Sequence, residues 1–99
     1  MKFSEFESSL SQAEAPAGLT NALCALWYAG KSDWESAHNT CQKQEGTPDS
    51  DWVHAYLHRE EGDLPNAEYW YRRAGREVPQ CSLKEEWATI VVALIAKQS

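Results

Sequence analysis

The chain is short of positive charge: 9 Lys and Arg stand against 15 Asp and Glu, a formal net charge of -6. Such a surface repels a phosphate backbone unless its cations cluster, so nucleic acid is not an expected partner. Cysteine is sparse and unpatterned. Cys24, Cys41 and Cys81 are odd in number and lack a C-x-x-C, which excludes a disulfide framework and a zinc knuckle and leaves buried, reduced thiols in a reducing cytoplasm as the expectation. No apolar run approaches the ~20 residues that cross a bilayer, since the longest, Ala88 to Ala96, is followed at once by Lys97. The opening Met1-Lys2-Phe3-Ser4-Glu5-Phe6-Glu7 has neither the apolar stretch nor the small-residue cleavage pattern of a secretory leader. Only 4 Pro and 5 Gly interrupt the chain, and β-branched residues gather only at Thr89, Ile90, Val91 and Val92, so helix is expected throughout and strand is not.

What is present suffices for one core. In 99 residues, 42% hydrophobic and 11% aromatic content can bury an interior, and 24% charged residues form an ordinary solvated surface, which predicts a single helical domain over residues 1–99. A short first helix carries Phe3, Phe6, Leu10 and Ala13 at helical spacing until Ala15-Pro16 ends it. A second, apolar on most sides, runs from about Gly18 to Ala29, with Gly30 behind it. Ser32 and Glu35 have capping-box spacing and open a third, fading near Gly46. Thr47-Pro48 starts a fourth reaching about Glu61, Asp63 caps a fifth ending at Gly75, and Ser82 with Glu85 opens a last, apolar helix over about 82–97. The two short turns predict antiparallel hairpins at about 18–45 and 48–75. One tryptophan falls on each major helix (Trp27, Trp34, Trp52, Trp70, Trp87), which reads as one large core ring per helix.

Laid over one another by their turns, the hairpins match without a gap: Ala25 with Ala55, Asp33 with Asp63, Ala37 with Ala67. Small residues at matching places let paired helices approach closely. The spacing from Ala55 to Ala67 resembles the two small-residue crossing positions of a tetratricopeptide repeat. Asp63-Leu64-Pro65-Asn66-Ala67-Glu68-Tyr69-Trp70-Tyr71-Arg72-Arg73-Ala74 resembles the second helix of SEL-like repeats. The segments Trp-Val-His-Ala-Tyr-Leu-His-Arg and Tyr-Trp-Tyr-Arg-Arg-Ala-Gly are also similar to a set of small bacterial proteins that lend no activity. The resemblance covers both hairpins and implies an all-α, compact bundle of two such hairpins, braced by the first helix and closed by the last. It also implies an interaction module. With only two repeats, the flanking helices must supply the missing faces.

Asp51, His54, His58 and Glu61 fall at i, i+3, i+7 and i+10, one stripe of a helix on which every member can ligate a metal. Three readings stand beside one another: a solvated face, a buried hydrogen-bonded histidine pair, and a ligand or metal site to which His38 could add a third imidazole. The resemblance places His54 and His58 where such repeats carry large core residues. No glutamate follows the first histidine, so the zinc-peptidase motif is missing, and neither a serine elbow nor a glycine-rich phosphate loop is found. No catalytic residue is assigned. Asn66, Trp70 and Arg73 share one face of the fifth helix and are a candidate interaction surface, against a plainer role in which Trp70 covers the neighbouring hairpin. Two functions are carried forward: a protein-interaction module, pairing with another protein or with itself, and a small metal- or ligand-binding protein, conceivably an enzyme. No cofactor is expected under the first reading; a divalent metal belongs to the second.

Overall fold

Side chains that satisfy orphan backbone N–H groups decide where most of the helices begin. The computed structural model describes residues 1–98, which form α1 (Phe3–Ser9), α2 (Asn21–Gly30), α3 (Trp34–Gln42), α4 (Pro48–Glu60), α5 (Leu64–Arg73) and α6 (Leu83–Gln98), with no strand. The fold is all-α. Thr20 accepts from the Leu23 amide at the head of α2, Asp33 from Ser36 in α3 and Asp63 from Asn66 in α5. Ser82 and Glu85 form the reciprocal box that opens α6, each side chain taking the other's backbone N–H.

Three boundaries differ from expectation. α1 ends at Ser9 rather than near Ala13, and α2 begins at Asn21 rather than Gly18. The box expected between Ser32 and Glu35 does not form. Ser32 sits at φ 62° inside the turn, and Asp33, one residue on, does the capping. The chain must reverse there through a left-handed residue, and a residue in that conformation lies in the turn, where it cannot open the next helix.

α2 packs on α3, α4 on α5, and the two pairs join through α3 against α4 and α2 against α4. α6 covers both α2 and α4, and α1 lies on α6. The alanines matched by sequence meet in the middle of these contacts, with Ala25, Ala37 and Ala55 fully buried and Ala67 nearly so. Indole N–H groups stitch the layers together. Trp27 donates to Ser9 Oγ at 3.0 Å, Trp34 to the Leu57 carbonyl at 2.7 Å and Trp87 to the Leu26 carbonyl at 2.9 Å, so the polar edge of each ring is satisfied, those of Trp27 and Trp87 buried and that of Trp34 half-buried. Gly30 lies where α1 and α6 converge, and a Cβ there would stand 2.9 Å from side-chain atoms of Leu10 and Trp87.

A second polar network closes the far end. Buried Glu86 accepts from Arg59 Nη1 at 2.8 Å and from the Tyr71 hydroxyl at 2.6 Å, while Arg59 Nη2 donates to the Cys81 carbonyl. This ties α4, α5 and α6 to one carboxylate. The radius of gyration, 12.3 Å, is that of a close-packed domain of this length, about 13 Å. No helix of the described residues is long and apolar enough to cross a membrane.

Candidate functional site

Helical spacing places Trp34 and His38 one turn apart on α3, and His54 and His58 one turn apart on α4. Where α3 crosses α4 these pairs face one another, and all three histidines of the chain come together. One ligand nitrogen from each of His38, His54 and His58 lies within 4.8 Å of the other two. The closest approach is between His54 Nε2 and His38 Nε2, 3.1 Å apart. His54 and His58 are buried, at 3% and 6% exposure, and His38 is half-buried.

Aromatic walls hold these rings. Trp34 stacks on His38 with centroids 4.8 Å apart and planes within 9°, and Trp70 stacks on His54 at 3.9 Å and 19°. The Arg73 guanidinium covers Trp70, 4.7 Å above the ring. His58 is held differently. Its Nδ1 lies 2.7 Å from Glu61 Oε1, so that nitrogen is the one that donates to the carboxylate and Nε2 is left for another partner. The Asn66 amide nitrogen stands 3.5 Å from Nδ1 and 3.4 Å from Nε2 of the same ring. Near equidistance means that it is aimed at neither nitrogen alone.

Electrostatics disfavour a charge on His54 and His38. Burial first, then the neighbouring His58, His38 and Arg73, push His54 down to about 3. His38 is lowered as well, again by burial first and then by His58, with Glu61 and Glu45 opposing. Two facing Nε2 atoms at 3.1 Å can share a single proton; two would collide. Whichever ring holds it, His54 Nδ1 has no hydrogen-bond partner, the one such buried side-chain atom among the described residues. An orphan of this kind costs about 1–3 kcal/mol.

The structure separates other members of the predicted set. Asp51 is buried but turns away, accepting from the Gly46 amide at 3.0 Å, and thereby braces the loop before α4. Glu61 is exposed and touches only His58 of the three rings. Trp70 offers no open docking face: it is 7% exposed, between His54 and Arg73. Asn66 and Arg73 flank the cluster instead of standing on a separate surface. Tyr71, a conceivable histidine partner, spends its hydroxyl on Glu86. Sequence reasoning missed Trp34, whose i, i+4 relation to His38 was the available signal, and Glu86, whose partners lie too far along the chain to be read. Cys41, close by on α3, is pushed up to about 12 by burial and stays a neutral thiol.

Comparison with protein-family models, curated proteins and solved structures finds no match to this chain.

Proposed function

We propose that this protein binds a divalent transition-metal ion through His38, His54 and His58. The observation that carries the reading is the approach of the three imidazoles, above all the 3.1 Å between His38 Nε2 and His54 Nε2. Two nitrogens bonded to one tetrahedral zinc at about 2.0–2.1 Å stand roughly 3.3 Å apart. The His38 and His54 nitrogens therefore need to move by only tenths of an ångström, and the His58 donor, within 4.8 Å of both, must close the remaining gap. Imidazole nitrogens without oxygen partners favour zinc, copper, nickel or cobalt over magnesium or calcium. The aromatic walls and the Glu61 contact supply the outer support that fixes ligand rings.

Stability alone gives no motive for this arrangement, because an apolar core at the same crossing would leave no orphan nitrogen. Isothermal titration of tag-free protein with Zn2+ checks the reading. One equivalent is expected, with uptake lost in His38→Ala and in His54→Ala. A flat titration with folded wild-type protein overturns it.

A second reading, an interaction module for another protein or a second copy, draws on the hairpin pattern. Ser32 and Gly62 are both left-handed, and Asp33 and Asp63, one residue later, both cap the next helix. That repetition supports likeness to tetratricopeptide-type hairpins. Val92, 53% exposed on α6, is the apolar side chain such pairing would cover. Light scattering that reports a monomer at high concentration removes the self-association form of this reading. The free thiols of Cys24, Cys41 and Cys81 support a reducing, cytoplasmic setting.

A further inference from the structure

We infer that the ion held by the three histidines keeps one coordination position open to a donor from outside the chain, a water molecule that a small monoanion replaces. This rests on the metal-binding reading above and adds the character of the site to it. The first argument is a count of donors. Among the described residues, the imidazoles of His38, His54 and His58 close on one another with no fourth histidine, cysteine or carboxylate in the same group. Zinc and cobalt with imidazole donors take four ligands. Sites whose four donors all come from the protein are structural, and sites with three leave the fourth to solvent or substrate.

The second argument concerns the carboxylates that could close the site. Glu61 joins a group with His58 and Asp63 but not with His38 and His54. Its oxygen is bonded to Nδ1 of His58, which leaves Nε2 as the nitrogen of that ring open to an ion. An ion on Nε2 is out of its reach while that bond holds, and Glu61 is a positioning residue. Asp51 is committed to the Gly46 amide and the Cys41 thiol to the His38 carbonyl.

The third argument sets the size of the outside donor. Trp34 and Trp70 lie flat against His38 and His54, and the wider clefts of the molecule, such as those along Trp52 and Arg76 or Leu10 and Trp87, are lined by other residues. An ion walled on two of its ligands by flat rings suits a water or an anion of a few atoms better than a large ligand.

Tag-free protein loaded with Co2+ and titrated with sodium azide tests the inference. The expected result is one equivalent of Co2+ giving the intense visible bands of a four-coordinate ion, which shift saturably as azide is added. Glu61→Gln should keep both the bands and the azide shift while binding Co2+ roughly 10-fold to 100-fold more weakly, the usual cost of losing an outer-sphere partner. Bound Co2+ whose bands ignore azide overturns the open position and leaves metal binding standing. If the azide response is missing in the wild type and gained in Glu61→Ala, Glu61 is the fourth ligand and the inference fails. No Co2+ or Zn2+ uptake at all defeats the metal-binding reading itself.

Discussion

The two hairpins share a turn and differ in what they carry across it. In each, a left-handed residue precedes an aspartate whose side chain caps the next helix, and the aspartate amide bonds back five residues, Asp33 to the Tyr28 carbonyl and Asp63 to the His58 carbonyl, both at 2.9 Å. The crossing alanines are buried in both. Yet where α4 and the residue capping its end hold His54, His58 and Glu61, the matching places of the first hairpin are Cys24, Tyr28 and Lys31. The backbone of this unit is therefore indifferent to those positions. A turn and a small-residue crossing suffice to build the hairpin, and the faces left over are free to hold either apolar packing or a polar cluster.

The largest test of that equivalence is steric. Ala37→Leu and Ala67→Leu should each lower stability by roughly 1–3 kcal/mol in urea unfolding, because neither crossing has room for three further carbons. A neutral result in one hairpin only would break the comparison.

The next effect separates the hairpins. His54 is depressed to about 3 in the folded protein and titrates near 6.5 when unfolded, so between those values the unfolded chain binds the extra proton. From this group, metal-free protein should keep its full stability above about pH 6.5 and lose up to about 1.4 kcal/mol per pH unit as pH falls toward 3. Cys24, in the matching place, is raised by burial and stays neutral across that window. Chemical denaturation at pH 7 and pH 5 reads the slope, and His54→Leu should reduce it to the share left by His38, which burial also lowers.

The same variant sharpens the contrast in another way. Removing the orphan Nδ1 should make metal-free His54→Leu about 1 kcal/mol more stable than wild type, while Zn2+ uptake disappears. A destabilised variant would show that the imidazole is there for packing. Smallest is Ser32→Gly. With φ at 62°, a non-glycine residue is strained, and the glycine that the second hairpin already uses at position 62 should raise stability by roughly 0.5–1 kcal/mol.

Local chemistry, read along the chain, determined much of this protein: the all-helical class, the starts of α4 at Thr47-Pro48, α5 at Asp63 and α6 at Ser82, and the matched turns with their alanines. Caps and crossings follow from residues three or four apart, within the reach of helix geometry. The contest between Ser32 and Asp33 for the α3 cap was decided by the reversal of the chain, and propensity alone weighs the two almost equally. The site lay further out of reach. That His54 and His58 share a face is a property of one helix, but His38 joins them only because α3 and α4 cross where they do, across 16 and 20 residues of chain. Asp51, in the same stripe, was taken by the Gly46 amide, and Trp70 was drawn under Arg73. Each of these choices depends on the summed packing of all six helices, in which α6 presses on α2 and α4. A sequence pattern shows which groups can meet, and only the packed bundle selects those that do.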